Sequence, residues 1–82
     1  GIFAAPVDAE EAPGYYDVIL QPMDLQTARS NVKKGAFSTI TELHLALTQM
    51  YDNCMLYNEE GSLFFKEAKK QQKAVDKFVT QL

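Results

Sequence analysis

The chain has 82 residues, of which 46% are hydrophobic, and its formal net charge is −3. This length allows one domain with a single modest core. Its only cysteine, Cys54, and its only histidine, His44, exclude an internal disulfide and are too few ligands for a structural zinc site. No apolar run approaches the ~18 residues that span a bilayer. We therefore expect a soluble globular protein of a reducing compartment, with no cofactor, metal or membrane contact.

The charge is distributed unevenly along the chain. Residues 1–65 carry nine acids and three basic side chains, a balance of −6, whereas residues 66–82 carry five lysines and two acids, a balance of +3. An acidic region of this kind favours a basic partner, such as a lysine-rich peptide, through long-range attraction. Solvated helix faces of alternating sign are the alternative interpretation.

Residues 1–23 predict a long ordered loop. They contain all three prolines together with Gly14, which is too many breakers for a regular element. They are also too apolar for a linker, so we expect the loop to pack on the body of the domain and to be functional. A single helical turn is expected from Asp17 to Leu20, and Tyr16 is expected to pack on the core.

Three helices are predicted after this loop, over about residues 25–34, 39–57 and 63–81. Asp24 is the expected N-cap of the first helix, and Gly35 is its left-handed stop. Thr39 and Glu42 form a capping box for the second helix, and Ser62 is the expected N-cap of the third. Short connections imply antiparallel neighbours in an all-α bundle.

Apolar residues at helical spacing predict the buried face of each helix. For the first helix these are Leu25, Ala28 and Val32; for the second, Ile40, Leu43, Leu47, Met50, Cys54 and Tyr57; for the third, Phe64, Ala68, Gln71, Val75, Phe78 and Leu82. Asn58 follows the second stripe, at the point where the sequence changes from apolar to polar residues. Considered locally, this asparagine is better explained as a helix end that tolerates the left-handed conformation than as a ligand contact.

Four segments, taken in chain order, resemble the bromodomain family. They are Phe3 with Pro6-Val7-Asp8, then Ala12-Pro13-Gly14-Tyr15-Tyr16, then Gln21-Pro22-Met23-Asp24-Leu25, and finally Asp52-Asn53-Cys54-Met55-Leu56-Tyr57-Asn58. The resemblance covers essentially the whole chain. It implies a left-handed four-helix bundle that reads acetylated lysine, on histone tails in the nucleus, as part of transcription regulation.

The family has a further helix ahead of the long loop. The resemblance therefore implies that residues 1–82 are a single bromodomain-like domain that is incomplete at its N-terminus. Exposed apolar faces would follow, at ~25 cal/mol for each Å² of lost burial. We expect marginal stability or self-association of the isolated chain.

The resemblance also implies the residues of an acetyl-lysine pocket. Asn58 is the anchor that donates to the acetyl carbonyl, and Tyr15 binds the same carbonyl through a water. The walls implied by position are Val7, Phe3, Tyr57, Cys54 and, as gatekeeper, Phe64. Burying a lysine ammonium in such a pocket without a carboxylate partner would cost several kcal/mol more than burying the amide. The acidic pairs Glu10-Glu11 and Glu59-Glu60 are expected to flank the mouth.

The residues also bear on two other classes of function. An enzyme is not expected, because His44 lies ten residues before Cys54 and cannot contact it within one straight helix. A helical interaction or DNA-binding module is the second alternative, since five lysines share one region of the last helix. That helix must also bury Phe64 and Phe78, so the lysines suit a solvated face and no direct nucleic-acid contact is expected.

Overall fold

All 82 residues are described by the computed structural model, which contains four helices and no strand. Helix α1 spans Tyr15–Val18, α2 spans Leu25–Lys33, α3 spans Ile40–Tyr57 and α4 spans Leu63–Thr80. The predicted all-α class and the three long helices are confirmed, with ends that differ by no more than one residue. The single turn begins two residues earlier than expected, because the Gly14 carbonyl accepts from the backbone amides of Asp17 and Val18.

Local side-chain chemistry sets the helix ends. The Asp24 carboxylate accepts hydrogen bonds from the Thr27 backbone amide at 2.9 Å and from the Thr27 hydroxyl at 2.6 Å. The Ser62 hydroxyl accepts from the Phe65 amide at 3.1 Å. Gly35 follows α2 with φ 74°, the left-handed conformation that glycine adopts most easily. All three caps are as predicted.

The capping box at the start of α3 differs from the expected form. The Thr39 hydroxyl accepts from the Glu42 amide at 3.1 Å, as predicted. The Glu42 carboxylate, however, accepts from the Ser38 amide at 2.8 Å and not from that of Thr39. The Glu42 side chain is long enough to reach Ser38, the residue before the N-cap. It still satisfies a free backbone amide at the start of the helix.

The core lies where the long loop meets α3 and α4. Its buried residues are Phe3, Met50, Tyr51 and Ala68. The Phe3 and Tyr51 rings pack edge to face with centroids 5.1 Å apart, a favoured aromatic geometry. The Phe3 carbonyl also accepts from the Leu25 amide at 2.8 Å, which fixes the start of the chain against α2. The prediction of a long loop packed on the domain is confirmed here.

The predicted buried stripes are only partly correct. Ala28, Met50 and Ala68 are buried, but several stripe residues are exposed: Leu25, Val32, Ile40, Phe64, Phe78 and Leu82. All of these except Leu82 lie on helix surfaces that the rest of the chain leaves partly uncovered. Self-association through such surfaces remains a prediction. None of the helices combines the length and apolarity needed to cross a membrane.

Candidate functional site

A cavity of about 690 Å³ lies between the long loop, the end of α3 and the start of α4. Twelve of its 18 lining residues are hydrophobic. All seven residues predicted for the site line this cavity: Phe3, Val7, Tyr15, Cys54, Tyr57, Asn58 and Phe64. The structure therefore brings together residues that lie up to 61 positions apart in the sequence.

Asn58 is the C-cap of α3, and its side chain forms part of the cavity wall. Its backbone is extended, with φ −99° and ψ 149°, so the left-handed conformation considered from the sequence is not adopted. The side-chain nitrogen donates to the Cys54 carbonyl at 2.9 Å. That bond uses one of its two N–H groups and fixes the plane of the amide, while the side-chain oxygen makes no hydrogen bond within the chain.

Cys54 lies one helical turn before Asn58 and lines the cavity. Its Sγ atom is 3.5 Å from the Asn58 side-chain nitrogen and 3.5 Å from the Phe64 carbonyl oxygen. Burial raises the pKa of the Cys54 thiol, and the hydrogen bond from Asn58 offsets part of that rise. The group is therefore a neutral thiol at neutral pH, suited to an apolar wall.

Tyr15 is buried, with its ring packed edge to face on both neighbouring tyrosines. The ring centroids of Tyr16 and Tyr57 are each 5.1 Å from that of Tyr15. Burial raises the pKa of the Tyr15 hydroxyl, and the negative forms of Tyr16 and Cys54 raise it further. The hydroxyl makes no hydrogen bond within the chain, so this cavity-lining residue retains a neutral donor for a ligand.

The other three predicted residues shape the cavity in different ways. Phe3 is only 7% exposed and belongs to the core as well as to the wall. Val7 is half-buried on the loop opposite α3. Phe64 is 50% exposed at the start of α4, so its ring forms an outer edge of the cavity.

Two hydrogen bonds from α3 hold the long loop around the cavity. The Tyr57 hydroxyl donates to the Pro13 carbonyl at 2.8 Å. The side-chain amide of Asn53, which is 4% exposed, donates to the Gln21 carbonyl at 2.8 Å and accepts from Gln49 at 2.7 Å. Sequence reasoning missed this role of Asn53, although an amide three residues after Met50, beside an apolar stripe, was the available signal.

Tyr16 does not pack on the core as expected. It is 41% exposed, and its hydroxyl donates to the Val7 carbonyl. Because Tyr15 is the buried ring of the two, the Tyr16 ring lies nearer the surface. Its bond to Val7 there stabilises the loop. This residue supports the cavity wall without lining it.

The acidic rim also differs from the expectation. Asp8 and Glu11 line the cavity, whereas Glu10, Glu59 and Glu60 do not. The Asp8 carboxylate accepts from the Glu10 backbone amide at 2.8 Å, which turns the loop at this point. The remaining wall residues that the sequence did not single out for the site are mainly apolar: Ile2, Ala4, Ala5, Pro6, Ala12, Met23 and Met50. The buried Asp24 also lines the cavity, with its carboxylate bonded to Thr27.

Comparison with known proteins agrees with this architecture. The bromodomain family model matches residues 1–70. A bromodomain from Leishmania donovani, solved in complex with bromosporine, is 39% identical with a TM-score of 0.90, and the match covers 98% of this chain and 68% of that one. The bromodomain of Trypanosoma brucei BDF2 is 34% identical with a TM-score of 0.91, over 99% of this chain and 75% of that one.

Curated relatives include Bromodomain-containing protein 9 from Xenopus tropicalis, 37% identical over 70 residues. They also include the nucleosome-remodeling factor subunit NURF301 from Drosophila melanogaster, 39% identical over 64 residues. The matches cover 85% and 78% of this chain but only 12% and 2% of those proteins. The chain belongs to the bromodomain family, and the predicted bromodomain-type four-helix-bundle class is confirmed. Bromodomains are acetyl-lysine-reading modules of chromatin proteins, and theirs is a binding fold with no catalytic function of its own.

Proposed function

We propose that the cavity binds the acetylated side chain of a lysine, with Asn58 as the donor to the acetyl carbonyl. The observation that carries the proposal is the position of the Asn58 amide in a mainly apolar wall, held by its 2.9 Å bond to the Cys54 carbonyl. An amide whose plane is already fixed loses little further freedom on binding. Tyr15 supplies a second neutral donor for the same oxygen.

Discrimination against unmodified lysine follows from the charge of the two side chains. The ammonium group would lose its hydration in the cavity, and the groups that contact the Asn58 side chain, the Cys54 carbonyl and thiol, are neutral. Two of the three carboxylates that line the cavity, Asp8 and Asp24, already accept hydrogen bonds from within the chain. The acetylated side chain is neutral and carries one carbonyl oxygen and one N–H group. Its apolar stem matches walls such as Val7 and Phe64, so burial of the modified form is favoured.

We further propose that the ligand is an acetylated histone tail and that the protein acts in the nucleus. Among the relatives are a histone acetyltransferase GCN5 of Yarrowia lipolytica and the SWR1 complex bromodomain subunit bdf1 of Schizosaccharomyces pombe. Asp8 and Glu11 on the cavity rim favour the basic residues that surround acetylated sites in such tails. Because each neutral hydrogen bond nets only ~1 kcal/mol and peptide ordering opposes binding, we expect dissociation constants on the order of micromolar or weaker.

An array of histone peptides, each synthesised with and without acetyl-lysine, tests this function. The wild type should bind acetylated peptides only, and Asn58→Ala and Asn58→Phe should bind none. Asn31→Ala is the matched control, because Asn31 is half-buried on α2 and its side chain makes no hydrogen bond within the chain. Failure of the wild type to bind any acetylated peptide, or equal binding by the Asn58 variants, would refute the proposal.

A further inference from the structure

Five lysines form a continuous line along α4, which we call the basic stripe: Lys66, Lys69, Lys70, Lys73 and Lys77. All five are exposed. At 3.6 residues per turn, their spacing places them within an arc of about 100° around the helix. The first and last are separated by about 16 Å along the axis. The stripe is thus a narrow line of positive charge on a chain whose net charge is −3.

No acidic side chain forms an ion pair with the stripe. Of the two acids on α4, Glu67 accepts from the Gln71 amide at 2.8 Å and Asp76 accepts from His44 at 2.7 Å. The contact between His44 and Asp76 is the one pair of acidic and basic side chains within ion-pair distance. Glu60 borders the same surface but lies beyond ion-pair distance of every lysine. The lysines therefore repel one another at three-residue and four-residue spacings, which disfavours the helix unless an anion binds.

The shape of the stripe fits the phosphates of a nucleic-acid duplex. Duplex DNA presents about one negative charge per 1.7 Å of its axis, so a rigid line of lysines meets several phosphates at once. Single strands are bound chiefly by stacking bases on exposed aromatic rings. The exposed rings of α4, Phe64 and Phe78, lie about 160° and 120° around the helix from Lys66. Phe65 borders the stripe but is half-buried, so the stripe offers charge without an exposed ring for stacking.

We propose that the basic stripe binds the phosphate backbone of duplex DNA without sequence preference. The cavity and the stripe occupy different sides of α4, because Phe64 lines the cavity and lies about 160° from Lys66. A peptide in the cavity and a duplex on the stripe can therefore be bound together. This inference reverses the expectation that the lysines form only a solvated face.

Fluorescence anisotropy with a labelled mixed-sequence duplex of about 20 base pairs tests the proposal. If all five lysines contact phosphates, affinity should fall about 500-fold between 50 and 200 mM salt, from a slope of about −0.9 per contact. Lys69→Gln with Lys73→Gln should leave about three contacts and a fall of about 40-fold over the same range. The matched control is Lys33→Gln with Lys34→Gln, which removes the same charge from exposed positions at the end of α2.

The control double variant should retain the steep salt dependence of the wild type, and Asn58→Phe should bind DNA normally while losing peptide. Unchanged helicity by circular dichroism would show that both double variants fold. The proposal is overturned if the wild type does not bind duplex at 50 mM salt. It is overturned equally if the two double variants change the affinity for duplex by the same factor. It is also overturned if polyglutamate or anionic lipid vesicles compete as well as duplex DNA at equal charge concentration.

Discussion

The side-chain nitrogen of Asn58 lies 2.9 Å from the carbonyl oxygen of Cys54, one turn earlier on α3. The same carbonyl accepts the Asn58 backbone amide at 3.0 Å, so the side-chain bond reinforces the end of the helix while the amide lines the cavity. One asparagine therefore has both roles that the sequence presented as alternatives, a helix-end contact and a cavity wall. The same nitrogen lies 3.5 Å from the Cys54 sulfur, a weak acceptor, and the N–H group in that contact is the one that we assign to the ligand.

Replacing Tyr15 by phenylalanine should weaken acetylated-peptide binding while leaving the fold intact. The hydroxyl makes no hydrogen bond within the chain, so the free energy of unfolding should change by less than about 0.5 kcal/mol. Loss of one neutral hydrogen bond to the ligand, ~1 kcal/mol, corresponds to roughly a fivefold weaker affinity. Isothermal titration calorimetry and urea unfolding measure the two effects.

Tyr16→Phe is the control for Tyr15→Phe, because it removes one hydroxyl from the adjacent ring. Its hydroxyl donates to the Val7 carbonyl, so this variant should lose about 1 kcal/mol of stability. Its effect on peptide affinity should be smaller than that of Tyr15→Phe. Equal effects of the two variants on affinity would contradict the assigned role of Tyr15.

Asn53→Ala should destabilise the protein through the long loop. The substitution leaves the Gln21 carbonyl and the Gln49 amide without their partner, at an expected cost of about 2–4 kcal/mol in the free energy of unfolding. Asn31→Ala, which breaks no side-chain hydrogen bond, should cost less than about 1 kcal/mol. Urea denaturation monitored by circular dichroism distinguishes the two variants. Similar losses of stability would argue against a role for Asn53 in holding the long loop.

Cys54 should react slowly with iodoacetamide at pH 7 and more slowly still when the cavity is filled. Burial raises the pKa of the thiol, so little of the nucleophilic thiolate is present. A bound acetylated peptide should then shield the sulfur, which lies 3.5 Å from the Asn58 nitrogen. Mass spectrometry follows the alkylation, with Cys54→Ser as the blank and unmodified peptide as the control. Protection by the unmodified peptide, or none by the acetylated one, contradicts this site.

The fold should lose stability in alkaline solution. Burial raises the pKa of Tyr15 and Tyr51 above 10.0, with Glu67 adding to the rise at Tyr51. As the pH rises through 10, these tyrosines therefore ionise in the unfolded chain before they ionise in the folded chain. The stabilisation is fully present below pH 10 and is lost as the pH rises towards the pKa of the folded state. Unfolding at pH 8–11 should show a smaller alkaline loss for Tyr15→Phe and Tyr51→Phe than for the wild type. An equal loss in all three proteins would show that neither tyrosine is responsible.

Helix positions were predictable from the sequence because caps and stops act locally. Asp24, Thr39 and Ser62 each bond an amide three residues ahead, so their effect can be recognised within four positions. Burial was less predictable. Phe78 has the spacing of a core residue but is 65% exposed, because burial depends on which neighbour covers a helix surface. Periodicity does not specify that neighbour.

The membership of the cavity was predictable only through the family resemblance, since the residues from Phe3 to Phe64 come from distant parts of the chain. The supports of the loop were not predicted. Asn53 and Tyr57 donate to the backbone carbonyls of Gln21 and Pro13, and every residue type, proline included, presents such a carbonyl. A hydrogen bond to a backbone carbonyl does not constrain the type of the accepting residue, so the sequence does not reveal it.

Isothermal titration calorimetry with Asn58→Asp tests the central claim most directly, because this substitution nearly preserves shape while removing the amide donor. An acetylated histone peptide that binds the wild type should show no measurable heat of binding with Asn58→Asp. The unmodified peptide should not bind the wild type, and unfolding measurements should show that the variant is folded. Retention of wild-type affinity for the acetylated peptide by the folded variant would contradict the assignment of Asn58 as the donor.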